Sequence, residues 1–228
     1  MATKQSIPFE GFPKDLPEFL WGIAFNNEKP WFEAHREQYE RSLNRPFRAL
    51  AREICDRMEE KYPARCSQLH ISRIYRDARR LYGRGPYNDH LWFSLGATGQ
   101  LYDVRPKFWF GIDAKSYELG MGMWGAKGEL MERWRREIDE KPERLSKIVR
   151  KLNKHEGLER WGDVYKRPKG DPGKLLYDWY NTKTPAVGKT VYFDPDPPGP
   201  ELVEEIMADF SALMPLYEYM MEISTRGD

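Results

Sequence analysis

Apolar side chains along this chain change their spacing twice, and that change of period constrains the fold more than any single motif. Up to Pro63 they recur every three or four positions, as on a helix with one buried face. From Leu69, the residues Leu69, Ile71, Arg73 and Tyr75 alternate with His70, Ser72 and Ile74, the period of a partly buried strand. Helical spacing returns at Leu130, Trp134 and Ile138. Helices grouped before and after a block of strands describe an α+β fold.

Three helices are expected before Pro63. Asp15 can cap the first, with Glu18 placed to reciprocate and Pro17 in the first turn, and the helix ends near Asn26 and Asn27. The second starts at about Pro30 and puts Phe32, His35, Tyr39 and Leu43 on one stripe. Asn44 can cap a third, in which Phe47, Leu50, Ile54 and Met58 repeat before Pro63 stops it. Further strands are expected over His90 to Leu95, Lys107 to Asp113 and Tyr117 to Trp124. The connections, Gly96-Ala97-Thr98-Gly99 and Ala114-Lys115-Ser116, suit antiparallel neighbours, so a meander is the economical topology. Gly120 and Gly122 alternate with methionines, leaving one strand face bare for a packed aromatic or a ligand.

After the sheet, Pro142 opens and Gly157 closes the second helix of a helical hairpin, with Leu145, Ile148, Val149 and Leu152 inward. Trp161 to Gly170 reads as a basic loop, Leu175 to Tyr180 as a short helix, and Thr190 to Phe193 as a late strand. The stiff segment Asp194 to Pro200 leads into a final helix carrying Leu202, Ile206, Leu213, Tyr217 and Met220, with a kink expected at Pro215. The expected architecture is a central antiparallel meander flanked by an N-terminal three-helix segment, a helical hairpin and a C-terminal helix, all in a single domain over 1–228.

Thirty-seven Lys and Arg against 36 Asp and Glu leave a net charge of +1, so no overall field collects nucleic acid or an anionic membrane. Nucleic acid is the less favoured partner, though basic residues interleaved with aromatics also suit single strands. The longest uncharged apolar run, Leu91 to Tyr102, falls short of the roughly 20 residues of a membrane span. With no apolar leader segment at the N-terminus and Cys55 and Cys66 the only cysteines, a cytoplasmic protein with reduced thiols is expected. Trp31, Phe32, Trp92, Trp109, Trp124 and Trp134 each fit a buried face and are expected mainly in the core.

The segment Arg73 to Arg84 holds five arginines and one aspartate where a strand gives way to a loop. Arg73, Arg76 and Arg79 are spaced to converge on phosphate or carboxylate oxygens, with Tyr75, Tyr82 or Tyr87 supplying a hydroxyl or a stacking face. The alternative is a structural network in which Arg76 and Asp77 tie the loop to acidic neighbours while Arg80 and Arg84 lie in water. Lys166-Arg167-Pro168-Lys169-Gly170 is a second basic loop, able to add charge if it folds near Arg76. Of the histidines, none has the local spacing of a metal site. His70 and His90, with Asp77 and Asp89 nearby, are the candidates for a His and carboxylate site or an acid/base pair, Asp77 being the carboxylate of the hydrolase alternative. Asn26 and Asn27 read either as a helix cap or as ligand contacts.

These residues also resemble the domain-of-unknown-function family 2461, a widespread bacterial family of uncharacterised proteins. The resemblance is carried by Asn26-Asn27 before Trp31-Phe32, by Ile71 to Arg79 followed by Pro86-Tyr87, by the Gly-rich segment ending at Trp124, and by Lys166 to Gly170, and it spans 12–217. The sequence departs from the family's pattern at Arg80, at Gly83-Arg84-Gly85 and at Asn88. The resemblance implies a fold and a cluster of site residues but names neither a reaction nor a cofactor. The leading expectation is therefore an anionic, phosphate- or nucleotide-like small ligand held by Arg73, Arg76, Asp77 and Arg79, walled by Tyr87 and Trp124, with Arg167 and Lys169 adding charge. The alternatives are an acid/base or metal-assisted hydrolase using Asp77 with His70 or His90, and a protein-interaction module.

Overall fold

The computed structural model describes residues 7–77, 79, 81, 83–97 and 104–225. Thr98 and Gly99 of the expected connection, and Arg80 and Tyr82 of the arginine segment, lie outside the described residues. The chain divides into two compact units, each built from separated stretches: Met1–Thr98, Trp109–Glu118 and Thr190–Met207 in the first, Gly99–Phe108, Leu119–Lys189 and Ala208–Asp228 in the second.

The strands are β1 (Gln68–Ile71), β2 (Leu91–Gly96), β3 (Lys107–Ile112), β4 (Ser116–Gly122), β5 (Glu159–Trp161) and β6 (Ala186–Tyr192). They form one six-stranded sheet in the order β1-β2-β3-β4-β6-β5. The first four follow chain order, which is the expected meander. Strands β1 and β2 run antiparallel with Leu69 opposite Leu95, and β5 and β6 run antiparallel with Arg160 opposite Val187. The α+β class holds.

In the first unit α1 (Leu16–Phe25) leads to α2 (Lys29–Ala34), α3 (Arg36–Gln38), a π-helical run Tyr39–Asn44 and α4 (Arg45–Lys61). The expected break and cap at Asn44 do not occur, because Asn44 itself is helical (φ −66°, ψ −50°) and makes no capping bond. Pro46 explains the widened turn: it has no N–H for the Ser42 carbonyl, and a π turn gives its ring room without ending the helix. Fully buried Phe47 of α4 packs on Phe93 of β2 and Phe110 of β3, with centroids 5.8 and 6.1 Å away. Tyr117 of β4 stacks on Phe110 at 5.7 Å. Since strand side chains alternate, this choice of inner face sends Trp92, Trp109, Gly111 and Glu118 to the other one.

Strand β1 is shorter than expected. It ends at Ile71, after which the Ser72 hydroxyl accepts the Trp92 N–H (2.8 Å) while the Ser72 N–H donates to the Trp92 carbonyl (2.8 Å). Cys55 and Cys66 are buried free thiols, and burial pushes them up to about 11 and about 12 respectively. Neither is a nucleophile near neutral pH.

Asp15 makes no side-chain cap on α1. Its carboxylate instead accepts the Ser42 hydroxyl (2.9 Å) and pairs with Arg41. Burial raises the Asp15 carboxyl, but the bonds from Ser42 and Arg41 together outweigh it and hold the group below its ordinary value. A depressed native pKa contributes stability above the unfolded value near 4 that is lost as pH falls through the native one. Asp15→Asn should therefore cost about 1 kcal/mol at pH 7, with wild type and variant converging near pH 2. Urea titrations at the two pH values check this, and a pH-independent difference would mean that the charge is not responsible.

The second unit holds α5 (Glu129–Glu140), α6 (Pro142–Leu152), α7 (Tyr177–Tyr180) and most of α8 (Leu202–Thr225), which runs on through Pro215. Fully buried Trp134 donates its indole N–H to the Trp179 carbonyl (2.8 Å) and meets Tyr219 edge-on, while Phe108 stacks on Tyr217. The helical hairpin is the expected one. Strand β5 has no counterpart in the sequence pattern, which places only its last residue, Trp161, at the start of the basic loop, and β6 starts earlier than expected. The bare strip at Gly122 receives neither an aromatic nor a ligand: a Cβ there would lie 2.7 Å from the Ala186 Cβ and 2.9 Å from the Pro185 carbonyl. At that point the missing side chain admits neighbouring backbone.

No helix among the described residues is long and apolar enough to cross a membrane.

Candidate functional site

Beyond β1, residues around Tyr75 and Tyr87 form a small clasp. The Arg76 N–H donates to the Pro86 carbonyl (2.8 Å), the Asn88 N–H donates to the Ile74 carbonyl (2.7 Å), and Tyr75 and Tyr87 form an antiparallel bridge. Asn27 holds the clasp from outside. Its side-chain amide donates to the Tyr87 carbonyl and accepts the Tyr87 N–H, both at 2.9 Å, the pair of bonds a neighbouring strand would make. Asn26 is the C-cap of α1, its N–H bonded to the Gly22 carbonyl. Gly85 fits only because it lacks a side chain, since a Cβ would lie 2.2 Å from both the backbone and side-chain oxygens of Asn27.

The arginines are arranged around this clasp. Arg76, with its side chain 13% exposed, donates from Nε to Asn88 Oδ1 (3.0 Å) and from Nη1 to the Gly85 carbonyl (3.4 Å), and reaches Asp89 at 3.5 Å. Arg79 is 87% exposed and closes a two-pronged pair with Asp77 at 3.0 and 2.8 Å, which raises its pKa. Arg73 is exposed, and its carbonyl accepts a bond from the Asn88 amide (2.9 Å). Arg76 and Arg79 thus engage different groups. Tyr87, expected as a ligand wall, is 2% exposed and its ring is stacked on Phe32 at 4.2 Å.

Trp124, Arg167 and Lys169 belong to the second unit, all three exposed. The Lys169 ammonium sits 5.0 Å over the Tyr165 ring, and its backbone N–H donates to Asn181 Oδ1 (2.6 Å).

Arg76 leads, through Asp89, to a cleft that sequence reasoning did not single out. It lies wholly within the first unit and has a volume of about 510 Å³. Trp92, Trp109 and Gly111 of the sheet's outer face form its floor, Leu20 and Trp21 of α1 one side, and Asp89, His90 and the β3–β4 turn its rim. Trp92, expected in the core, is 39% exposed, as is Trp21. A Cβ on Gly111 would meet the Trp92 Cβ at 3.6 Å, an ordinary contact, so the glycine leaves the floor open without being forced by backbone geometry. A signal for this was present in the alternation of Trp109 with Gly111.

At the rim His90 Nδ1 lies 2.9 Å from Asp89 Oδ1. Burial pushes the Asp89 carboxyl up, but the hydrogen bond with His90 and the nearby Arg76 charge bring it below its ordinary value, so it stays ionised. An ionised carboxylate accepts, which assigns the proton to Nδ1 and leaves Nε2 as an acceptor in neutral His90. The carboxylate beside His90 is thus Asp89; Asp77 bonds to Arg79, and His70 packs against Trp92 at 5.1 Å. Across the cleft the Lys115 ammonium lies 4.9 Å over the Trp21 ring, while Glu118 accepts the Thr190 hydroxyl at 3.3 Å. Among the described residues no group of three or more His, Cys, Asp or Glu is placed to hold a metal ion.

A family model described as a conserved hypothetical protein (DUF2461) matches residues 15–219. No curated protein matches the chain.

Proposed function

The chain belongs to the DUF2461 family, and since membership brings no reaction with it, we propose from the geometry that it is a small-molecule-binding protein whose site is the tryptophan-floored cleft. His90, oriented by Asp89, is the group placed to exchange a proton with the guest. The observation that carries this reading is the cleft itself: about 510 Å³, apolar at its floor, with a few polar groups converging at the rim. Ligand sites commonly have that size and make-up. Large aromatic faces left partly exposed on a strand are otherwise costly.

In this reading the arginine segment supports the site. Arg76 fixes Asp89, and Asp89 fixes His90, so Arg76 is a positioning residue. An anion gathered by Arg73, Arg76 and Arg79 is the weaker reading, because Arg79 is matched by Asp77 and Arg76 by Asn88 and Asp89.

The test fills the cleft. Gly111→Leu adds a side chain to the floor while leaving the fold in place. In ligand-observed NMR against a mixture of small metabolites, compounds that bind wild type should lose at least about tenfold in affinity in the variant, the effect of about 1.4 kcal/mol of lost contact. Arg79→Ala should bind as wild type does. If the bound compounds ignore Gly111→Leu but are lost in Arg79→Ala, the arginine segment is the site and the cleft is not.

A further inference from the structure

Resting on that reading of the cleft, we infer that its guest is an organic cation, a substituted ammonium that lies against the tryptophan faces beside Glu118. The cleft already accommodates one such group: the Lys115 ammonium over Trp21, at 4.9 Å. Indole faces attract ammonium groups through their quadrupole, most strongly where water is partly excluded. Trp92 and Trp109 present further indole surface on the floor.

The charges of the lining point the same way. It contains three carboxylates, Asp89, Asp113 and Glu118, against Lys115 and His90, with Arg76 behind Asp89 at 3.5 Å. Two of the carboxylates are engaged by the protein. Asp89 bonds His90, and one Asp113 oxygen accepts the N–H groups of Lys115 and Ser116. Glu118 is exposed and its Oε1 accepts the Thr190 hydroxyl, while its Oε2 takes no hydrogen bond from a described residue. An anion entering here would meet unmatched carboxylate charge, and a neutral polyol would leave it unanswered. A cation compensates it and gains ring contact at the same time.

Lys115 then acts as a competitor. It is itself a cation at the cleft wall, so removing its charge makes room on Trp21 and deepens the negative potential felt by the guest. Loss of the lysine charge strengthens the binding of a positive guest and weakens that of an anion, so the sign of the change separates the two.

The experiment titrates the intact protein with choline chloride, methyl glucoside and inorganic phosphate at constant ionic strength. It follows the indole N–H resonances of Trp92 and Trp109 in wild type, Lys115→Met, Glu118→Gln and Gly111→Leu. Choline is expected to shift both resonances, to bind about three- to tenfold tighter in Lys115→Met and about tenfold weaker in Glu118→Gln, as one cation–π contact and one charge pair imply. Gly111→Leu should abolish the shifts. If methyl glucoside or phosphate shifts these indoles in a Gly111→Leu-sensitive way and choline does not, the cation inference is overturned and the cleft remains a site. Choline binding that Lys115→Met weakens, or that Glu118→Gln leaves unchanged, also overturns it. Should none of the three probes shift either indole, the inference is overturned, whereas metabolites indifferent to Gly111→Leu overturn the cleft reading separately.

Discussion

Gly85→Ala is expected to destabilise the protein by about 3 kcal/mol, a large effect for a single methyl group. The added carbon would stand 2.2 Å from the Asn27 carbonyl oxygen and 2.2 Å from its side-chain oxygen. The first is backbone at the end of α1 and moves only if that segment moves. The second swings away only by giving up the Tyr87 N–H it accepts at 2.9 Å. Either response loosens the clasp that places Arg76 and, through it, Asp89. Gly83→Ala is the control: its φ of +78° disfavours a side chain, but nothing lies within 4 Å of the added carbon, so a loss of about 1 kcal/mol is expected. Asn27→Ala removes two hydrogen bonds from the Tyr87 peptide and should cost about 2 kcal/mol. Adding Gly85→Ala to Asn27→Ala should cost less than it does in wild type, because one of the two clashing oxygens has gone. Urea unfolding of the four proteins measures the cycle, and a Gly85→Ala protein within 0.5 kcal/mol of wild type, the usual range for a harmless surface change, would refute the clasp.

Arg144→Leu is expected to cost about 3 kcal/mol through the second unit. Glu137 of α5 is 2% exposed, and its carboxylate takes Arg144 Nη1 at 2.5 Å, with Lys141 farther off at 3.6 Å. The same guanidinium reaches Glu222 of α8 at 2.5 Å and lies 5.4 Å over the Tyr219 ring. Removing it strips a buried carboxylate of its nearest cation, and the penalty is mainly the desolvated charge left behind. Glu137→Leu combined with Arg144→Leu should recover most of the loss, since replacing both partners with apolar side chains removes the buried charge as well. Thermal unfolding compares them. A double variant no more stable than Arg144→Leu alone would show that the burial of Glu137 was not the source of the cost.

Much of the fold was readable because period alone carried it. Phe47, Leu50, Ile54 and Met58 are fully buried along α4, and Leu130, Trp134 and Ile138 are buried along α5, as their spacing required. Local rules failed where a distant partner offered more. Asp15 has the right position to cap α1, yet Ser42 and Arg41 engage it first, and the proline at 46 widens a helix where a break and a new cap were expected. Asn27 completes its bonding with Tyr87, a partner 60 residues away that no local motif announces.

The site was less legible than the fold. Five arginines crowd one stretch of sequence, but sequence does not show that Arg79 folds back on Asp77 two residues earlier or that Arg76 turns to Asn88. The tryptophans misled in the opposite direction. Strand β2 carries Trp92 next to Phe93, and β3 carries Trp109 between Phe108 and Phe110, so both faces look apolar and period cannot say which is covered. Packing on Phe47 decides it, and the uncovered face becomes the cleft floor.

A crystal structure of the protein soaked in a quaternary ammonium salt such as choline chloride tests the central claim most directly. The ammonium is expected between the Trp92 and Trp109 faces, within reach of Glu118, with His90 and Asp89 at the rim. A cleft filled by its own tryptophan side chains, or a soaked molecule seated only elsewhere on the protein, would contradict it.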